Sequence, residues 1–238
     1  QERYFIVGAL LLTAVAGFGA VGSILIPDRI VKFGSVPSDQ PPNSIFIFGT
    51  TNFGNDVLAV LAYSILPSLQ VGIIAGGITN LIGFTIGLVG GYKRGRLDNI
   101  LASLTNIFMV VPTWPLMVCL AAYVRYVSLG MVALLIAVFS WPGPAMGIRS
   151  QVLSLRESGF VSLAKVNGLS DFSIIFREIT PNLFSFMMVR LILSISWAMQ
   201  TEVGLEIIGL GPPGQQSLGW MIYWLMIGGA LYKGMWWW

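Results

Sequence analysis

The chain has 238 residues, 55% of them hydrophobic and 10% charged, with a mean hydropathy of +0.81 and a formal net charge of +3. Soluble domains carry about 25% charged residues, so this composition excludes an ordinary water-soluble core and points to a bilayer. There is no His and a single Cys, Cys119, which removes the commonest metal ligand and any intrachain disulfide. No metal site and no nucleic-acid partner are expected.

The charge-free runs define the fold class. Residues 99–124 (26 residues) and 126–148 (23 residues) contain no Asp, Glu, Lys or Arg, and each exceeds the roughly 20 apolar residues that one crossing needs. An all-α, polytopic helical bundle with five visible spans is predicted. The first span runs from Tyr4 to Ile26 and stops at Pro27-Asp28; it is too long for a signal-peptide core and shows no small-residue cleavage site. The uncharged stretch from Val57 to Tyr92 covers 36 residues, too many for one span. Pro67 is predicted to break it, leaving Val57 to Leu66 as a short interfacial helix and Pro67 to Tyr92 as the second span.

That second span carries Gly72, Gly76, Gly77, Gly83, Gly87, Gly90 and Gly91. The pairs 72/76 and 83/87 are four apart, a spacing that lets helices approach closely, either as a moving interface along a path or as plain tight packing. The third span is placed at Asn99 to Val124, kinked by Pro112 and Pro115, the fourth at Leu129 to Ile148, and the fifth at Leu183 to Ile208. Trp114 and Trp141, each beside prolines, are candidates for lining a path, with packing at a kink as the alternative.

Lys and Arg set the orientation. With a cytoplasmic N-terminus, Arg3, Lys93, Arg94, Arg96, Arg149, Arg156, Lys165 and Arg177 face inside, against Arg29, Lys32, Arg125 and Lys233 outside. Residues 149–182 are then cytoplasmic and residues 210–238 form an outer loop. The closing GMWWW suits a membrane interface, and a sixth span is expected beyond it.

Between the fourth and fifth spans, residues 156–182 read as two short helices joined at a corner. Gly168 sits where a helix ends on a left-handed residue. Ser170 is a good N-cap and Asp171 suits a first turn. Phe172, Ile174, Ile175, Phe176 and Ile179 form a second apolar face, and Pro181 is expected to turn the chain into the fifth span. Such a pair can lie on lipid or dock into a partner's groove.

Within the fifth span, Arg190 lies about 10 Å from Leu183 along the axis, at about 1.5 Å per residue. It can face a path or snorkel. Glu202 and Glu206 are four apart on one face near the far end. Neither a glycosidase pair nor a cation site is supported by any further motif. No Gly-Lys-Ser/Thr phosphate loop is present.

GFVSLAKVNGLSDFSIIFREITPN resembles the EAA-type cytoplasmic loop of ABC-importer permeases of the dipeptide/oligopeptide family, on the second-permease side. Phe160, Val161, Ala164, Gly168, Pro181 and Asn182 stand in register with that pattern. Ser162 stands where the family has a glutamate, and Leu163 where it has an alanine. FGTTNFGNDVLAVLAYS is similar to the family's Gly-Thr-Asp-x-x-Gly-Arg-Asp segment, with Thr51 and Asn55 in place of acidic and basic residues. SWPGPAMGIRSQVLSLRE and TEVGLEIIGLG-PPGQQSLGWMI resemble further family stretches. The similarity extends from about Phe48.

The resemblance implies a type I importer permease fold, with residues 1–47 as first span and outer loop and residues 48–238 as the permease core. It implies no enzymatic activity in this chain and no bound cofactor, with ATP and Mg held by partner subunits. The implied partners are a second permease chain in a heterodimer, two cytoplasmic ATPases, an extracellular substrate-binding protein and the lipid of the cell membrane. Peptides or oligosaccharides are the implied cargo. Arg156, Phe160, Val161, Ser162, Ala164, Lys165, Gly168, Asp171, Pro181 and Asn182 become the ATPase-coupling loop, with Ala164 permitting close approach, Gly168 the corner and Pro181 the exit angle. Arg190, Glu202, Trp114 and Trp141 become candidates for the path or its gate. An ion channel or secondary transporter would need rings of charge in the spans, where Arg190 stands alone. A membrane enzyme would need convergent catalytic groups.

Overall fold

The computed structural model describes residues 2–123 and 128–238. Among them there is no strand, only an isolated bridge between Thr50 and Asp56. Helix α1 is Glu2–Leu25, α2 Val57–Lys93, α3 Gly95–Val110, α4 Thr113–Tyr123, α5 Leu129–Ser140 and α6 Pro142–Arg156. After them come α7 Gly159–Val166, α8 Asp171–Ser173, a π-helical stretch Ile174–Ile179, α9 Thr180–Ile207 and α10 Leu218–Ile227. Three helices, Arg3–Leu25, Val57–Lys93 and Asp171–Ile207, are long and apolar enough to cross a membrane, and five spans result if each bent pair counts as one. The end of the third span at Val124, and Arg125 with its outward placement, lie outside the described residues.

The bends follow the prolines. Val111 is extended (φ −66°, ψ 127°) ahead of Pro112, as the residue before a proline prefers, and α3 and α4 diverge there by 77°. The α5–α6 pair bends by 45°, with Pro142 at the first position of α6, where a missing N–H is harmless.

Two prolines do not act as expected. Pro67 leaves α2 unbroken over 37 residues, so there is no separate interfacial helix at Val57 to Leu66. Ala59, Val60, Ala62, Ser64, Ile65 and Ser68 are all buried, and packing of this kind overrides the local cost of a proline. Helix α1 lies against this stretch: a Cβ on Gly22 would come 2.6 Å from Ala62 Cβ, and one on Gly19 would come 2.9 Å from Ile65 Cβ. Pro181 does not turn the chain either, because one helix runs from Asp171 to Ile207. The π-helical stretch just before it widens the ladder, with the Thr180 N–H donating to the Ile175 carbonyl. A wider turn relieves the clash between a proline ring and the preceding turn.

The chain divides into two compact units, one of residues 2–71, 128–129 and 199–238, the other of residues 72–123 and 130–198. In the first, Val31, Ala59 and Val60 form a small core with Ile26, Tyr63, Trp220 and Met221. Thr51 and Asn55 are buried there as a neutral pair: the Thr51 hydroxyl donates to Asn55 Oδ1 at 2.9 Å, and Asn55 Nδ2 donates to the Val31 carbonyl at 2.7 Å. The closing tryptophans also pack in this unit. Trp237 Nε1 donates to the Thr50 carbonyl at 3.1 Å and Trp238 meets Phe53 edge-on, while Trp236 stays exposed.

Candidate functional site

The second unit carries the helical corner. Helix α7 closes on Gly168, whose φ is +76°. The Gly168 N–H donates to the Lys165 carbonyl at 3.0 Å and the Leu169 N–H to the Ala164 carbonyl at 3.1 Å, the bond pair of a Schellman stop. Ser170 then caps the next helix, its Oγ accepting from the Ser173 N–H at 3.3 Å. Asp171 stands in the first turn.

The corner has two faces. Val161, Ala164, Ile174, Ile179 and Leu183 are buried against Leu88, Tyr92, Ile148 and Val152 of α2 and α6. The opposite face presents apolar groups to the outside: Leu163 is 62% exposed, Phe172 71% and Val166 84%. Phe172 and Phe176 touch with centroids 4.5 Å apart. Both departures from the family pattern lie here. Leu163 points outward, and Ser162 is exposed with its hydroxyl turned back to the Ser158 carbonyl. Lys165, Pro181 and Asn182 are also exposed, and Asn182 Nδ2 donates to the Glu178 carbonyl at 2.7 Å.

Polar contacts fix the base of the corner. The Tyr92 hydroxyl donates to Asp171 Oδ1 at 2.7 Å. Arg156 donates to the Tyr92 carbonyl, and its guanidinium lies 5.8 Å from the Tyr92 ring centre. Arg149 holds Asp98 through two bonds of 2.6 and 2.7 Å, the fork geometry that makes arginine–carboxylate pairs strong and directional. Arg94 reaches Glu157 at 2.6 Å between half-exposed side chains, a contact worth little by itself. The Tyr92–Asp171 bond joins the end of α2 to the corner, Arg156 joins the end of α6 to α2, and the Arg149–Asp98 pair joins α6 to α3. Tyr92, Asp98 and Arg149 are absent from the sequence-derived site, because their partners lie 51 to 79 residues away.

The glycines of α2 permit this fit. A Cβ on Gly83 would lie 2.7 Å from Pro144 Cβ, one on Gly87 2.5 Å from the Ala145 carbonyl, and one on Gly91 2.8 Å from Val152 Cβ. Gly77 faces open space. At these three α2 glycines the spacing signals close packing against α6. Trp141 is buried at the α5–α6 bend with its ring 5.3 Å from Phe108, and Trp114 is partly exposed. The Arg190 guanidinium lies over Gly147 and 5.4 Å from the Phe186 ring. Phe186 in turn packs against the same core as the corner.

Glu202 belongs to the first unit. It is fully buried, and its Oε1 accepts from Ser68 Oγ at 3.2 Å. The same hydroxyl accepts from the Leu218 N–H at 2.9 Å, so one serine pins the start of α10 to the carboxyl. Glu206, one turn on, accepts from Ser217, whose Oγ also caps α10 by accepting from the Trp220 N–H at 2.9 Å. Glu202 thus anchors the loop before α10. Ser68 and Ser217 carry no sequence signal for this, since they join the carboxylates only once α2, α9 and α10 are packed.

The comparisons with known proteins agree with this architecture. A dipeptide transport system permease protein, DppC of Bacillus subtilis (strain 168), is 31% identical over 211 residues, covering 89% of this chain and 66% of the relative. An oligopeptide transport system permease protein, OppC of Lactococcus lactis subsp. cremoris (strain SK11), is 32% identical over 178 residues, covering 74% and 60%. OppC of Mycobacterium tuberculosis (strain ATCC 25618 / H37Rv) is 30% identical over 185 residues, covering 77% and 64%. The chain therefore spans about three fifths to two thirds of the length of these curated relatives. A family model matches residues 83–233, a range that includes the whole corner, its polar base and the loop around Glu202 and Glu206. The chain belongs to the family of binding-protein-dependent transport system inner membrane components.

Proposed function

We propose that this chain is a transmembrane permease subunit of an ATP-driven importer, forming half of a path for peptides across the inner membrane. Membership of the transport family and the named functions of the relatives support this reading. The carrying observation is the corner at Gly168, which has an apolar outward face and a hydrogen-bonded base tied to α2, α3 and α6. An exposed apolar patch on short, rigid helices suits a groove on a partner. The partner we assign is a cytoplasmic ATPase, two copies of which bind ATP and Mg and drive the cycle. A second permease chain completes the path and an external binding protein delivers cargo.

In this reading the N-terminus is cytoplasmic, as the eight-to-four distribution of Lys and Arg supports. Phe160, Leu163, Val166 and Phe172 contact the ATPase. Arg156 and Asp171 are positioning residues that act through Tyr92. ATP-driven closure of the ATPase pair shifts the corner, and the bonds at its base carry the shift into the membrane helices. Arg190 and Trp114 are candidate path residues, and Glu202 holds the outer loop.

The test is co-purification. The native complex is extracted in mild detergent through a tag on this chain, and its companions are identified by mass spectrometry. Two ATPase chains and a sister permease are expected. Recovery of this chain alone, or with only its own copies, would overturn the importer reading.

A further inference from the structure

Two carboxyl groups meet at the end of α9, inside the first unit. Glu202 is fully buried and Glu206 is 2% exposed. One helical turn separates them, and their carboxyl groups stand within hydrogen-bond reach of each other. Each has one oxygen held by a serine: Ser68 donates to Glu202 Oε1 and Ser217 to Glu206 Oε2. The other oxygens, Glu202 Oε2 and Glu206 Oε1, have no further donor among the described residues.

No cation offsets the pair. Residues 57–71 of α2, residues 199–207 of α9, the loop 208–217 and α10 contain no Lys, Arg or Asp, and no described ion pair includes either glutamate. Besides the two glutamates, the titratable groups of these segments are Tyr63 and Tyr223. The Tyr63 hydroxyl donates to the Ile26 carbonyl at 2.8 Å, and Tyr223 lines a cavity beside Glu206.

Two carboxylates in contact inside a dry site cannot both be ionised. The hydrogen-bond count then gives the number of protons. With none, two bare oxygens face each other without a donor, the costly case for buried polar atoms. With one, an O–H on one carboxyl donates to the other, and all four oxygens have partners. A second proton would have to take an oxygen to which a serine already donates. The N-terminus of α10, whose Trp220 N–H also reaches Glu206, offsets the one negative charge that remains.

We propose that Glu202 and Glu206 share a single proton between Glu202 Oε2 and Glu206 Oε1, and that this proton latches the loop before α10. The latch runs through the two serines. Ser68 Oγ accepts from the Leu218 N–H at 2.9 Å while donating to Glu202. Ser217 Oγ accepts from the Trp220 N–H at 2.9 Å while donating to Glu206. Loss of the proton leaves two negative charges in contact. They separate when Glu206 turns out to solvent, which frees Ser217 and the start of α10. In the released loop both carboxyls meet water and ionise at neutral pH, so the latched loop binds one proton more. The latch therefore weakens as pH rises. It does not depend on the importer reading.

The test uses the purified native complex. Infrared titration should show the carbonyl stretch of a protonated carboxyl at neutral pH that is lost on alkalinisation and is absent from both Glu206→Gln and Glu202→Gln. Hydrogen-exchange protection of the Leu218 and Trp220 amides, corrected for the intrinsic pH dependence of exchange, should fall on the order of tenfold or more between neutral and alkaline pH. Glu206→Gln supplies the shared donor permanently through its amide and keeps an oxygen for Ser217. It should hold the protection constant over the same range, and Glu202→Gln, built on the same logic, serves as the second variant if the first does not assemble. Glu206→Ala should lose the protection at every pH. A protonated-carboxyl band that both glutamine variants retain, flat protection in the wild type, or a wild-type pH profile in the glutamine variants would overturn the proposal.

Discussion

Replacing Gly168 with valine tests whether the corner works as a lever. The residue sits at φ +76° with no atom within 4 Å of a hypothetical Cβ. The substitution therefore creates no clash, and its cost is confined to the backbone. A left-handed conformation costs an L-residue roughly 1–2 kcal/mol, with the upper end expected for a β-branched side chain. The chain can relieve this only by abandoning the bonds from Gly168 to Lys165 and from Leu169 to Ala164, each worth about 0.5–1.5 kcal/mol. A shift of about 2 kcal/mol changes the population of the closed corner roughly thirtyfold. Val161 and Ala164 before the corner, and Ile174 and Ile179 after it, stay buried in the same core, so membrane insertion should survive. In proteoliposomes containing the whole complex, Gly168→Val should hydrolyse ATP with little peptide uptake. Gly168→Asn, which tolerates the left-handed region, should retain most of both. Wild-type uptake per ATP in the valine variant would refute the lever.

Further outcomes follow from individual contacts. Leu163→Glu, on an exposed position of α7, should leave the melting temperature unchanged and reduce ATPase recovery in a pull-down; undiminished recovery would place the docking face elsewhere. Gly87→Leu puts a side chain where even a Cβ would lie 2.5 Å from the Ala145 carbonyl; it should destabilise the second unit by about 1–3 kcal/mol or more, as overpacking does. Gly77→Ala, facing open space, should be near neutral in the same thermal melt. Asp98→Asn breaks the two-bond pair with Arg149, whose side chain is one-third exposed. It should cost about 1–3 kcal/mol, below the cost of breaking a fully buried pair because solvent screens the arginine. Ser68→Ala removes the donor to Glu202 and the acceptor of the Leu218 N–H. A loss of about 1–3 kcal/mol is expected for buried groups left unpaired, read as earlier proteolysis of the loop before α10.

The corner was legible before the structure because its determinants are local. A left-handed glycine stop, a serine cap three residues from its amide and apolar positions on helical faces all fall within residues 159–179. The polar base was not legible. Tyr92 and Asp171 stand 79 positions apart, and Asp98 and Arg149 stand 51 apart, so neither residue advertises its partner. The carboxylates of α9 lie between these cases. Their spacing placed them on one face, but only packing brought Ser68 and Ser217 to them.

Composition and charge-free runs by themselves determined that this is an all-helical membrane chain. Continuous apolar runs of more than about 20 residues satisfy their backbone bonds inside a bilayer as helices, whereas barrel strands are short and alternate. Local propensity determined where α7 stops and α8 begins. Tertiary structure decided what each proline does. Pro112 and Pro142 stand at bends, while Pro67 is carried inside an unbroken, well-packed helix and Pro181 follows a π-helical stretch that makes room for its ring. The local cost of a proline is a few kcal/mol, a sum that buried neighbours or a widened turn can offset. Whether such compensation exists depends on residues far away in the chain.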